Sequence, residues 1–331
     1  MVILLLPCFS CSQNSEALIF SADLLPPVLL SASVRNEKEI EFVFDEELSP
    51  AGNSFKLTPA IPASGISADG KILSVHLSEK QETGKEYTAN VSVSDKNNNS
   101  LTFLYSFSGW NPEIPEMLIN EINPRGSSST PDCIEVYVIK NGNTGGVILT
   151  IGTEKNYSGR FVFPVMEVES GDYIIIHAKP EGIPEEINET LDKSTSGGKL
   201  ANADAWDFWI KEAPGIPGNN GAAVIYSRKG GSIIDAVLWS DRKNEPDNEK
   251  LGWTSSGYIL AKELGGRQAW KAANGTIPMP QEAVNASDST ATRSLCRASA
   301  PKDTDTSADW HTVPTRGQTF GSENSDSIYQ K

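Results

Sequence analysis

The sequence predicts an all-β protein built from two β-sandwich domains in tandem, and three observations carry that prediction. The composition combines 27 Gly and 20 Pro with a hydrophobic content of only 38%, which supplies many turns and modest, strand-sized cores. No stretch sustains the apolar spacing of an amphipathic helix beyond about three turns. Short alternating runs bounded by Gly, Pro, Asn and Ser recur instead, the pattern of half-buried strands. At 331 residues the chain is long enough for two domains with ordinary cores.

The first domain is expected over residues 26–107. In KEIEFVFDEELSP, Ile40, Phe42 and Phe44 share one face, and the run breaks at Leu48-Ser49-Pro50. Ser54–Leu57 continues the pattern, and the hinge Asp69-Gly70-Lys71 leads into Leu73, Val75 and Leu77 at period two. Tyr87, Ala89, Val91 and Val93 repeat that period, and the turn from Asp95 to Ser100 precedes a last run to Phe107. Residues 108–116, with two prolines, form the expected linker. The second domain is expected over 117–324, followed by a short tail at 325–331. Its internal strands are placed at Arg160–Pro164, Tyr173–His177, Ala222–Tyr226 and Ile233–Trp239, the last two forming a hairpin across Lys229-Gly230-Gly231. Two insertions interrupt it. Residues 179–205 read as a long polar loop. Residues 241–292 hold Trp253 and Trp270, with a short helix over Tyr258–Leu264 interrupted by Gly265-Gly266. Loops of that length need structure of their own or a function.

Leu118–Val138 (LINEINPRGSSSTPDCIEVYV) and Ser294–Asn324 carry a family resemblance. Asn120-Glu121-Ile122, Ile134-Glu135-Val136-Tyr137, Arg297, Asp303-Thr304 and Asp309-Trp310 resemble the opening strands and closing segment of a lamin-tail domain, an immunoglobulin-like module. The first domain, through FVFDEELSP, DGKILSVHL and GKEYTANVSVSDKNNNSL, resembles SbsA-type bacterial Ig-like domains of surface-layer and exported proteins. Together the resemblances imply two Ig-like sandwiches in a binding or structural protein. The N-terminus MVILLLPCFSC resembles the end of a bacterial lipoprotein signal: residues 1–10 would be removed and Cys11 lipidated, leaving 11–25 as a tether. The alternative is a short apolar N-terminus without a targeting role.

A net charge of −15, from 28 basic and 43 acidic residues, disfavours a nucleic-acid partner, because phosphate binding draws on Lys and Arg. No apolar run is long enough to span a bilayer, so membrane attachment is expected through lipid. The three histidines, His76, His177 and His311, share no spacing that suggests zinc. Nucleophile-elbow, phosphate-loop and Cys/His protease signatures are missing. No cofactor or metal is expected.

Several residues remain as candidates. Glu121 and Glu135 form a carboxylate pair suited to acid–base hydrolysis. The competing reading makes them structural, with Glu135 in an ion pair with Arg297. Cys133 and Cys296 lie in the first and last matched segments and are either a disulfide or two buried thiols. Asp303, Asp305 and Asp309 lack the glycine and distal glutamate of a calcium loop, and Asx-turns account for them more simply. Five of the seven tryptophans fall between 206 and 270. Trp206, Trp209, Trp253 and Trp270 are either a ligand platform or the core of an insertion. The expected function is that of an exported, lipid-anchored envelope protein displaying Ig-like modules for adhesion, scaffolding or protein interaction. Its partner would be an envelope or host protein or a glycan. A glycan-binding or envelope-processing accessory using the tryptophans is the alternative, and a Glu121/Glu135 hydrolase is a third.

Overall fold

The computed structural model describes residues 23–243 and 249–331. Cys11, residues 1–10 and most of the 11–25 segment therefore lie outside the described residues. The chain divides into two compact units. One ends at Gln81 and resumes over Tyr87–Phe107, and the other holds Glu82–Glu86 and Ser108–Lys331. Nearly all regular structure is β, as the composition predicts.

In the first unit the strands are β1 (Leu29–Asn36), β2 (Glu39–Phe44), β3 (Ser54–Thr58), β4 (Ala63–Asp69), β5 (Ile72–Leu77), β6 (Glu86–Ser94) and β7 (Ser100–Ser108). They form a four-stranded sheet, β1-β2-β5-β4, and a three-stranded sheet, β3-β6-β7. The period-two pattern sets the core. Ile40, Phe42 and Phe44 of β2, Leu73, Val75 and Leu77 of β5, and Tyr87, Ala89, Val91 and Val93 of β6 are all buried. The sheets meet face to face: Phe42 of β2 packs edge-on against Phe103 and Tyr105 of β7, ring centroids 5.7 Å apart in each case.

The second unit contains β8 (Glu116–Asn123), β9 (Cys133–Lys140), β10 (Gly142–Asn143), β11 (Ile148–Gly152), β12 (Tyr157–Val162), β13 (Glu167–Val168), β14 (Tyr173–His177), β15 (Trp206–Trp209), β16 (Asn220–Tyr226) and β17 (Ile233–Ser240). Helix α1 (Ser255–Gly266) follows, then β18 (Val284–Asn285), β19 (Leu295–Arg297) and β20 (Trp310–Thr312). Sheet order is β15-β14-β9-β8-β19-β20 in one layer and β12-β11-β16-β17-β18 in the other, with β10 and β13 paired separately. One core joins the two layers, through Ile119, Ile134 and Ile176 on one side and Leu149, Ile225 and Val237 on the other. The first and last matched segments are neighbours, because β19 pairs antiparallel with β8, Cys296 opposite Glu121.

The described residues of segment 241–292 form a folded layer rather than a loop. Its helix starts earlier than the expected Tyr258, at Ser255, where the Thr254 side chain caps it by accepting from Gly257 N. Gly265 does not interrupt the helix. A Cβ there would lie 1.9 Å from the Thr276 carbonyl oxygen, so glycine is needed for close backbone approach. Leu260, Ala261 and Leu264 join the core, with Trp253 and Trp270 fully buried beside them.

The tryptophan platform is overturned by this packing. Trp209, Trp253 and Trp270 are 3%, 2% and 1% exposed, and their indole N–H groups are satisfied internally. Trp253 donates to the Pro278 carbonyl at 2.8 Å, Trp270 to that of Glu282 at 3.1 Å, and Trp209 to Ser196 Oγ at 2.9 Å. Trp206 is half-buried, donates to Asp172 Oδ2 and lies under the Lys193 ammonium. A large apolar ring with a satisfied N–H gains more in the core than at the surface. Trp253→Ala is therefore expected to destabilise the unit by about 3–5 kcal/mol, measured as a lowered urea midpoint, rather than to remove a ligand contact from a folded protein.

Candidate functional site

The titratable side chains concentrate on the outer face of the six-stranded sheet. Glu121 of β8 and Glu135 of β9 stand directly opposite each other, and alternation puts Cys133 and Cys296 on the same face. His311 of β20 faces Cys296, and His177 of β14 faces Cys133. The C-terminal segment covers this face as a strap, and its polar groups match the carboxylates below. Glu121 accepts from Thr319 N and Oγ1, the latter at 2.8 Å, and from Ser294 Oγ. Glu135 accepts from Gly321 N at 2.5 Å and Asn120 Nδ2 at 2.8 Å. Asn324 Nδ2 closes the strap on Asn120 Oδ1 and the Arg297 carbonyl, both at 3.0 Å.

Both carboxyls are fully buried. Burial pushes Glu121 up to about 6 against its hydrogen bonds from Ser294 and Thr319. Burial, reinforced by the nearby Glu121 charge, pushes Glu135 well above the usual range. These carboxyls are strap anchors, enclosed from solvent.

The partner expected for Glu135 is elsewhere. Arg297 follows Cys296 and so projects from the opposite, inner face of the sheet, which rules out a Glu135–Arg297 pair. There its Nη2 meets Asp235 of β17 at 3.2 and 3.3 Å, and its Nε donates to the Ile119 carbonyl at 2.9 Å. Asp303 and Asp309 flank the same guanidinium at 3.3 and 3.4 Å, which stands 4.9 Å from the Trp310 ring. Asp235 also accepts from Ile119 N at 2.6 Å. Burial pushes the Asp235 carboxyl up, and the Arg297 guanidinium opposes that. Asp303 and Asp309 of DTDTSAD thus close a loop around the arginine, where Thr304 N donates to Asp309 Oδ2 and Asp305 N to Asp303 Oδ1, while the Asp305 carboxylate pairs with Lys271.

Cys133 and Cys296 are free, buried thiols, so the disulfide expectation is corrected. They lie on β9 and β19, either side of β8. Two interstrand spacings of roughly 4.8 Å exceed the Cα separation a disulfide spans. Cys296 Sγ lies 3.4 Å from His311 Nε2, but that nitrogen is 2.8 Å from the Ser325 carbonyl. A carbonyl only accepts, so Nε2 holds a proton and cannot deprotonate the thiol. Burial, with Glu121 and Glu135 nearby, pushes the Cys296 thiol far up.

The polar loop 179–205 closes the far side of this face. Glu189 Oε2 accepts from Asp207 N at 2.8 Å, Asn188 Oδ1 from Trp209 N at 2.8 Å, and Asp207 Oδ2 from Asn202 N at 2.8 Å. The sequence reading passed over Asp207 and Glu189, and weighed His177 only as a zinc ligand. Trp206-Asp-Phe-Trp209 carried the signal, as an acidic residue inside a short aromatic run.

Residues 115–312 match the model of a family described as the TP_1001 second domain. The chain belongs to that family. The match spans the second unit from the start of β8 to the end of β20, leaving the strap beyond it. An uncharacterized protein of Treponema pallidum (strain Nichols) is 28% identical over 200 residues, covering 59% of this chain and 50% of that protein. The chain thus spans about half the length of the curated relative it matches. Dimeric latent PorU from Porphyromonas gingivalis aligns over 65% of this chain and 20% of its own at 14% identity, with a TM-score of 0.20.

In this TP_1001 second-domain chain the strap anchors set a pH dependence. Glu121 has a folded-state pKa raised to about 6 from 4.5, so the folded form holds more protons than the unfolded form between those values. The resulting stabilisation is full below the unfolded pKa and is lost as pH rises through about 6, amounting to about 2 kcal/mol. Glu135 acts in the same direction. Urea unfolding between pH 4.5 and 7.5 should show a shallower decline in Glu121→Gln than in the parent; equal slopes would contradict this account.

Proposed function

We propose that this chain is an exported, non-catalytic envelope protein, tethered by lipid on Cys11, whose β-sandwich units act as interaction modules. In this reading the second unit is a lamin-tail-like, Ig-like sandwich and the first resembles SbsA-type bacterial Ig-like domains. One observation carries the reading. The side chains best suited to acid–base or nucleophilic chemistry in the second unit, Glu121, Glu135, Cys133, Cys296 and His177, are fully buried. Both glutamates are committed to the strap. General acid–base catalysis needs a group within hydrogen-bond reach of substrate, and these groups hold the fold instead. That weighs against the Glu121/Glu135 hydrolase.

Recognition of an envelope or host protein or a glycan then falls to surface that the insertions create. A cleft of about 360 Å³ runs between β12 and α1, lined by Asn156, Tyr157, Ser158, Ser256, Ile259 and Leu260. Tyr157 and Ile259 are 50% and 44% exposed on it. An accessible aromatic beside apolar and amide groups suits a protein surface or a sugar face.

Metabolic labelling with an alkyne fatty acid should mark the parent protein in the membrane fraction and fail to mark Cys11→Ser. Recovery of the unlabelled parent in the cytosol would overturn export and anchoring together. For the interaction role, a photo-reactive phenylalanine analogue in place of Tyr157 should crosslink a discrete partner in intact cells. The same analogue in place of the exposed Leu191 should not, and equal labelling from both positions would remove the cleft from consideration.

A further inference from the structure

The strap adds no strand to either sheet, so residues 318–325 can lift from the outer face without breaking a strand ladder. Glu121 is the hub of the polar contacts beneath them. Thr319 Oγ1 stands between two oxygens, Glu121 Oε2 at 2.8 Å and Asn324 Oδ1 at 3.2 Å. Asn324 Nδ2 donates to Asn120 Oδ1 and to the Asn120 and Arg297 carbonyls, which fixes Asn324 Oδ1 as an acceptor.

A threonine hydroxyl has a single hydrogen. With Glu121 ionised, that hydrogen faces two acceptors and one of them goes unserved. With Glu121 protonated on Oε2, the acid O–H donates to Thr319 Oγ1, which passes its own hydrogen to Asn324 Oδ1. Thr319 N and Ser294 Oγ still reach Oε1, so the closed strap is matched to the neutral acid.

Nothing around Glu121 favours the ionised form instead. Glu135 stands directly opposite on β9, and like charges so placed repel. The same face carries Cys133 and Tyr137 of β9, Tyr173 and His177 of β14, Asp207 of β15, Cys296 of β19 and His311 of β20. Glu189 borders it from the 179–205 loop, and Glu323 and Asp326 from the strap, Asp326 bound to Ser299. Both imidazoles are committed, His177 to Asp207 and His311 to the Ser325 carbonyl. No lysine or arginine on these strands shares the face: Arg297 projects inward, and neighbouring Arg293 lies over the Tyr329 ring.

We propose that residues 318–325 form a proton-operated latch, closed by protonated Glu121 through Thr319 and Asn324 and loosened, with the sandwich still folded, when that proton passes to solvent. Opening uncovers Cys296, whose Sγ lies 3.9 Å from the Ser325 carbonyl oxygen. The direction follows from linkage. Burial raises Glu121 to about 6 in the closed form from 4.5, so the closed form holds the extra proton. Closure is fully favoured below the lower value and weakens as pH rises through about 6.

Hydrogen exchange on the full chain, read by mass spectrometry and corrected for the intrinsic rate at each pH, tests the latch. Protection of peptides covering 318–325 should fall by up to ~30-fold between pH 4.5 and 7.5, tenfold for each unit the carboxyl recovers on opening. At the higher pH it should be lower than that of β9 and β16 and insensitive to dilute urea, because little surface is exposed. Glu121→Gln gives Thr319 a permanent donor and should lose most of the fall. Should that variant fail to fold, isotope-edited NMR of the glutamate carboxyl carbons in the parent decides, since one must titrate in step with strap opening. Strap protection that ignores pH, strap protection and urea response equal to those of β9 and β16, an unchanged fall in Glu121→Gln, or no carboxyl titrating with the strap would each overturn the proposal.

Discussion

A guanidinium in a protein interior must be paired, because leaving it alone costs several kcal/mol. Arg297 meets this demand by joining everything around it. It projects from β19 through the inner face of one sheet to Asp235 on β17 of the other, touches the β8 carbonyl of Ile119, and collects Asp303 and Asp309 from the closing loop. The strand that carries it, Leu295–Arg297, has only three residues. Its backbone ladder alone is too short to hold position, so the side chain supplies the register. The loop 298–309, whose regular structure is a single 3-10 turn at Ser307–Asp309, closes on this fixed cation through Asp303 and Asp309.

The face behind Arg297 follows from the same strand. Once Arg297 points inward, Cys296 must point outward, and the ladder sets Glu121 and Glu135 beside it. Carboxylates on a covered face need donors. The strap provides them through Thr319 and Gly321, and Gly321 can be nothing larger. Its φ is +83°, and a Cβ there would lie 2.0 Å from Asn202 Nδ2. That contact ties the strap to the 179–205 loop, since Asn202 also donates to the Phe320 carbonyl. Arginine, carboxylates, strap and loop thus form one chain of polar satisfaction from core to surface.

Much of this was legible in the sequence where a single period governs. Ile40, Phe42, Phe44, Leu73, Val75 and Leu77 read as strand faces because alternation is local. The hairpin from Ala222 to Trp239 was legible for the same reason. Side-chain partners were not. Glu135 and Arg297 are both buried and both in matched segments, but face parity separates them, and parity depends on which neighbour of Cys296 points inward. Asp235, the true partner, lies on a strand that the chain reaches only after a long separation. The tryptophans of 241–292 stayed open between a platform and the core of an insertion, and the structure puts them in the core. A sequence does not reveal that one insertion will supply Pro278 and Glu282 carbonyls to two indoles.

The distribution of acid in the second unit bears on what kind of protein this is. On the strap-covered face Glu121, Glu135, Asp207 and Glu189 are all buried, and the one buried arginine, among the described residues, is committed to the opposite face. Such a layer persists only if protons, hydrogen bonds or a cation offset its charge. Hydrogen bonds from the strap and the 179–205 loop meet this demand at Glu121, Glu135, Asp207 and Glu189. The cleft between α1 and β12 lies on the other layer of the sandwich, with Tyr157 and Ile259 open to solvent.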